Sequence, residues 1–162
     1  MYFMQEAGQP LKLRFSANKY GPYADNLHFE LRRLEGHFTS GFGDGQENPD
    51  KALELLPGAV EEAFDFLARN DNVNKRMDRV AALIDGFEDT YGMELLSTVH
   101  WVMARTNPEA RADVEVAVRE VHSWNTRKRQ IMKPAHLQRA WERLTREDWN
   151  LNSASIDQLS VA

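Results

Sequence analysis

The chain has no cysteine among its 162 residues. That absence excludes a disulfide framework and any thiolate metal site, and it makes an intracellular location the simplest expectation. No apolar window approaches the 18 uncharged residues that a membrane-spanning helix needs. No basic flank, apolar run and small-residue cleavage site combine at the start. A soluble, untargeted, cytoplasmic protein is therefore expected. Catalytic patterns are missing too. The run GFGDG (Gly41 to Gly45) lacks the spacing of a phosphate-loop fingerprint and is not followed by Lys-Ser/Thr, so a turn needing positive φ explains it better. The five histidines (His28, His37, His100, His122, His136) offer no credible metal-binding face at ligand spacing. His100 adjoins Trp101 in an apolar stripe and reads as a satisfied buried histidine. Glu61 and Glu62 are adjacent and point to different helix azimuths, which suits them poorly to paired acid-base work. No catalytic residue, cofactor or metal is expected.

What the chain does have is an uneven charge distribution beneath a net charge of −5. Between Glu47 and Asp65 there are six acids (Glu47, Asp50, Glu54, Glu61, Glu62, Asp65) against Lys51 alone. Between Arg127 and Arg146 there are seven bases (Arg127, Lys128, Arg129, Lys133, Arg139, Arg143, Arg146) against Glu142 alone. These are either two solvated helix faces, or one flank that repels nucleic acid and one that attracts it.

Leu11, Leu13 and Phe15 alternate with Lys12 and Arg14, predicting a strand near 11–15 after a Gly-Gln-Pro turn. Past a Tyr-Gly-Pro-Tyr turn, Leu27, Leu31, Leu34 and Phe38 recur at helical spacing, with Asp25 able to cap and Gly36 able to terminate the helix. A second short strand is expected over 37–42. Helix, strand, helix, strand is the order of a small winged-helix-like unit.

The remainder reads as helical. One stripe is Val60, Ala63, Phe64 and Leu67, and a second is Val73, Met77, Val80, Ile84 and Phe87. Leu95, Leu96, Val99, Val102 and Met103 make a third. Asn107 with Pro108 reads as a cap, and Val114, Ala117, Val121, Trp124, Lys128 and Ile131 continue one face from it. A last helix opens at Pro134 and carries Leu137, Ala140, Trp141 and Leu144. The expected fold is thus mainly α: a multi-helix domain with a small winged-helix-like N-terminal unit and a minor β hairpin. One domain is expected over 1–151, with the winged-helix-like unit at about 1–45, the helical part at about 49–151, and a frayed, flexible tail at 152–162. The uncapped apolar pair Tyr2 and Phe3 suggests a chain that begins partway into a helix, as an excised piece of a longer protein would.

Two functional readings follow. In the first, the helix from Asp25 to Glu35 is the reader of a winged-helix nucleic-acid-binding regulator, with the 127–146 stretch on phosphates. That helix carries Asp25, Glu30 and Glu35 against Arg32 and Arg33, and is slightly acidic where a groove reader is usually basic. In the second, the scaffold binds a protein. KYGPY (Lys19 to Tyr23) could present aromatic contact area from a fixed turn, or could simply tuck a ring into the core. The four tryptophans, Trp101, Trp124, Trp141 and Trp149, read as core. Trp124 is the exception to test, because SWNTRKR places it where a stripe meets a basic run.

Five segments, YFMQEAGQPLKLRF, KYGPYADNLHFELRRLEGHFTSGFGDG, ELLPGAVEEAFDFL, GMELLSTVHWV and WNTRKRQIMKPAHLQRAWERLTREDW, spread in order over most of residues 2–149. Together they resemble the C-terminal domain of DarG antitoxins of DarT/DarG toxin-antitoxin systems. The resemblance implies a domain that binds a DarT-like toxin, an enzyme that ADP-ribosylates bases in single-stranded DNA using NAD, and blocks its access to DNA. The macrodomain that removes ADP-ribose in DarG has no counterpart in this sequence, so the resemblance implies binding rather than enzymatic activity. The implied partner is the cognate toxin, at 1:1, with no membrane and no direct DNA contact. The residues expected to form the contact are Lys19, Tyr20, Tyr23, Asp25, Asn26, His37, Asp44, Trp124, Arg127 and Lys128.

Overall fold

The computed structural model describes residues 1–42 and 52–150. The fold is mainly helical: α1 (Tyr2–Glu6), α2 (Leu27–Leu34), α3 (Ala59–Leu67), α4 (Asp71–Ile84), α5 (Thr90–Trp101), α6 (Val114–Trp124), α7 (Thr126–Ile131) and α8 (Pro134–Arg146). Two small antiparallel pairs join them, β1 (Phe15–Asn18) with β2 (Gly21–Ala24), and β3 (Thr39–Ser40) with β4 (Glu54–Leu55). Among the described residues no helix is long and apolar enough to cross a membrane. The expected tail at 152–162 and Asp44 lie outside the described residues.

Helix α5 is the axis of the core. Leu95, Leu96, Val99 and His100 are all buried and none of residues 91–101 is exposed, so it is covered on most sides. It packs against α8 and β2, and α8 contributes the buried line Leu137, Ala140 and Leu144 at helical spacing. Each of these buried leucines contributes roughly 1.5 to 3 kcal/mol by leaving water. The start of α5 is fixed twice. The Asp89 carboxylate accepts from the Gly92 N–H at 2.7 Å, and a Cβ at Gly92 would sit 2.6 Å from the Phe87 carbonyl oxygen, so only glycine fits there. Beyond Trp101 the chain continues as a π-helical turn over Val102–Thr106, then a 3₁₀ turn over Pro108–Arg111. Short α1 closes one end of the core, where Tyr2 and Phe3 meet His100 and Trp149 edge to face.

Several elements depart from the sequence reading. The first strand lies at 15–18 rather than 11–15, because Gly21-Pro22-Tyr23-Ala24 is not a turn but the partner strand. Phe15 pairs with Ala24 and Asn18 with Gly21, leaving Lys19 and Tyr20 as a two-residue turn. Pro22 is tolerated because β2 has a strand on one side only. The order is therefore helix, strand, strand, helix, strand, not the helix, strand, helix, strand expected of a winged-helix-like unit. The strand expected at 37–42 shrinks to 39–40 and pairs with β4, which the alternation did not reveal. Asp25 does not cap α2; the flanking residue is Asn26, whose side chain instead spans Lys12 O and Arg14 N. The face expected to run from Asn107 to Ile131 is interrupted at Asn125, which is fully extended and caps α7 by accepting from the Lys128 N–H at 2.8 Å. The stripe on α3 forms as a helix but not as core, since Val60 and Phe64 are 43% and 67% exposed.

Candidate partner-binding site

The β1–β2 hairpin is held against the helical core at its tip. Trp124 Nε1, at the end of α6, donates to the Asn18 carbonyl at 3.0 Å, and Asn125 Nδ2 donates to the Lys19 carbonyl at 3.2 Å. The α6–α7 joint that breaks the expected helix is thus the joint that grips the hairpin. Arg127, on the first turn of α7, lies over the Tyr20 ring with its guanidinium carbon 4.7 Å from the centroid, and Lys19 Nζ approaches the same ring at 5.2 Å. Tyr20 is nevertheless 60% exposed. Its ring is fixed in place by cation contacts while remaining open to another molecule.

Behind the tip, Gly21 has φ of +126°, and a Cβ would lie 3.3 Å from Thr98 Oγ1 and 3.4 Å from Ser97 Oγ on α5. The glycine permits both the backbone shape and the close approach of strand to helix. One carboxylate organises the region underneath. Glu94 on α5 accepts from Nη1 and Nη2 of Arg127, the latter at 3.1 Å, and from Lys128 Nζ at 2.9 Å. Lys128 Nζ also donates to Thr98 Oγ1 at 2.9 Å, and its side chain is fully buried. Burial pushes the Lys128 ammonium's pKa down, and the hydrogen bond and charge of Glu94 oppose that shift. Removing water from a cation without a carboxylate beside it would cost several kcal/mol, so Glu94 is what allows Lys128 to sit in the core.

Of the sequence-predicted contacts, Lys19, Tyr20, Trp124, Arg127 and Lys128 therefore converge on one place. Lys128 positions the others from beneath and is out of reach of any partner. Tyr23, 38% exposed, sits two residues along β2 opposite Ser16. Asp25 is exposed and Asn26 is committed to bracing residues 12–14. His37 is exposed beyond the end of α2, outside this cluster. The residues missed in the sequence were Glu94, Thr98 and Asn125. Asn125 carried a readable signal, an amide side chain one residue ahead of a helical run. Glu94 was legible only as a lone acid in an apolar helix.

The basic stretch is only partly available at the surface: Arg129, Lys133 and Arg139 are exposed, and others are engaged. Lys128 is buried and Arg127 is paired with Glu94. Arg143 donates to the carbonyls of Ala82, Leu83 and Asp85 at the end of α4. Arg146 pairs with Glu147. The described acids of the opposite flank, Glu54, Glu61, Glu62 and Asp65, are all exposed. Among the described residues, no three His, Asp or Glu side chains come together as a metal site.

A second polar site lies inside the core. The Tyr2 hydroxyl is 2.7 Å from His100 Nδ1. Burial raises the Tyr2 pKa, so the phenol keeps its proton and donates it to Nδ1, which leaves the histidine hydrogen on Nε2. Burial, with Arg105, Arg79 and Arg111 nearby, lowers the His100 pKa to about 3. The imidazole is a neutral acceptor that satisfies a buried hydroxyl, as expected from its place beside Trp101.

No established family profile matches the chain. Individual relatives do. A DNA ADP-ribosyl glycohydrolase of Thermus aquaticus is 39% identical over 154 residues, covering 91% of this chain and 41% of the relative. DNA ADP-ribosyl glycohydrolases of Mycobacterium bovis and Mycobacterium tuberculosis are each 35% identical over 149 residues, covering 89% of this chain and 42% of theirs. The chain is thus homologous to a portion of DNA ADP-ribosyl glycohydrolases and spans about two fifths of the length of these relatives.

Proposed function

We propose that this chain is an antitoxin domain that binds a DarT-like ADP-ribosyltransferase toxin, one chain to one toxin, and blocks its access to single-stranded DNA. The observation that carries the reading is Tyr20: an exposed aromatic side chain on a hairpin tip that is clamped by Trp124, Asn125 and Arg127. A ring held in one place loses little entropy on contact, which is the property of a binding anchor. An enzyme that takes up single-stranded DNA needs a positive groove with stacking surfaces, and exposed acids and aromatics are suited to fill one. Homology to part of proteins named for removing ADP-ribose from DNA fits the same system. In this reading these residues act by occupying the toxin.

Burial of Lys128, pairing of Arg127 with Glu94 and the use of Arg143 at the end of α4 leave the nucleic-acid reading fewer cations for phosphates than the sequence suggested. The test is co-purification of the chain with its cognate toxin, alongside a mobility shift with DNA alone. Co-elution with the toxin and no salt-sensitive DNA shift is the expected outcome. A salt-sensitive shift without toxin capture would replace this reading with a nucleic-acid-binding regulator.

A further inference from the structure

Half of the exposed large apolar side chains among the described residues, five of ten, fall between positions 53 and 66: Leu53, Leu55, Val60, Phe64 and Phe66. Chance does not explain the concentration, because the segment is regular. Leu55 lies in β4 and Leu53 immediately precedes that strand. Val60 and Phe64 are one helical turn apart on α3 and form a ridge, and Glu61 and Asp65 form the next ridge beside it. Helix α3 meets the rest of the fold chiefly through α4, and Ala59 is its only buried residue. Monomeric surfaces scatter apolar residues singly, whereas grouped ones rimmed by charge mark contact surfaces.

The charge on this surface selects the occupant. Residues 52–65 carry Glu54, Glu61, Glu62 and Asp65 and no base, and no ion pair among the described residues involves any of these four. A second copy of this chain, meeting it about a two-fold axis, would set acid against acid around the apolar ridge. A complementary surface is basic with an apolar depression. We infer that α3 and β4 form a second docking surface, separate from the Tyr20 tip, which seats a basic, apolar-centred surface of the partner protein. This inference rests on the toxin-binding reading and specifies where part of that contact lies. Val60 and Phe64 enter the depression, and Glu61 and Asp65 meet its basic rim. The apolar ridge then governs how long the complex lasts, and the acids govern how fast it forms.

The experiment is a titration of cognate toxin with wild type and two variants, Val60→Ser/Phe64→Ser and Glu61→Lys/Asp65→Lys, at low and high salt. The serine variant should bind about tenfold or more weakly at both salts. The lysine variant should lose more affinity at low salt than at high salt, because screening removes the repulsion it introduces. Both should melt like wild type, since the altered side chains are exposed. Should the serine pair unfold, the single Glu61→Lys variant carries the test on its own. Wild-type affinity in well-folded variants would overturn the docking surface and leave the toxin-binding reading standing. Failure of wild type to bind the toxin would overturn both. Sedimentation should show a monomer; a dimer abolished by Phe64→Ser would make the face a self-contact and overturn the inference.

Discussion

Helix α5 buries Leu95, Leu96 and Val99, whereas α3, with equally regular apolar spacing, leaves Val60 and Phe64 in water. The two differ in what lies around them. Helix α5 is packed by α8, β2 and the chain that follows it, while α3 has chiefly α4. Apolar periodicity states which residues share a face. It does not state whether this chain or another molecule covers that face. In α5 the covering elements α8 and β2 come from distant parts of the chain. In α3 flanking acids accompany an apolar ridge that no element covers among the described residues, which is the arrangement expected of a surface that is covered only in a complex.

If the region around α5 is a true interior, its charges should be the most sensitive groups in the molecule. Glu94→Ala leaves Lys128 buried beside Thr98 with no carboxylate, and a loss of about 3 to 5 kcal/mol in denaturant unfolding is expected. Adding Lys128→Met to that variant should recover most of the loss, because an apolar chain of similar volume needs no counter-charge. Equal instability of the single and double variants would mean that the pair is not what holds this region.

The apolar contrast is tested directly by truncating one residue of each helix. Leu96→Ala, at a fully buried position, is expected to cost about 2 to 5 kcal/mol through lost burial and a residual cavity. Phe64→Ala is expected to stay within about 0.5 kcal/mol of wild type, as surface substitutions do. Comparable losses at both positions would show that α3 is packed as core.

Acid should weaken the interior through His100. The folded chain keeps this imidazole neutral down to about pH 3, against an ordinary value of 6.5. Between those limits the unfolded chain binds the extra proton, so stability falls as pH falls and is fully present above 6.5. At pH 5 the loss is roughly 2 kcal/mol relative to neutral pH. Stability curves of wild type and His100→Asn at the two pH values isolate it, and a variant with the same pH slope as wild type would remove His100 as the cause.

A small effect on folding is also expected at the hairpin tip. Tyr20→Ala removes two cation contacts from an exposed ring and should cost only about 0.5 to 1 kcal/mol of stability, while weakening toxin binding by about 2 kcal/mol or more if the ring is a central anchor. A melt and a toxin titration on the same sample separate the two.

The helical class, the buried stripes of α5 and α8 and the neutral core histidine were all legible in the sequence, because each rests on spacing within one element. The β1–β2 pairing was not. Glycine and proline in KYGPY have the composition of a turn, and only the register with Phe15–Asn18 shows that they form a strand with the turn one step earlier. Lys128 reads in the sequence as part of one continuous face and as a partner contact, whereas it is buried on a separate helix. Its burial depends on Glu94, 34 residues away, and no local pattern connects the two. The candidate site was partly legible for the same reason. The aromatic and basic residues were visible, but the fact that Trp124 and Asn125 grip the backbone of the hairpin tip belongs to the tertiary structure.

The most direct test of the central claim is an order-of-addition assay with toxin, NAD and single-stranded DNA. Chain mixed with toxin beforehand should abolish modification once it reaches about one equivalent, and chain added after modification is complete should leave the ADP-ribose in place. Unimpeded modification in the first arrangement, or removal of the label at enzyme-like rates in the second, would contradict inhibition by binding.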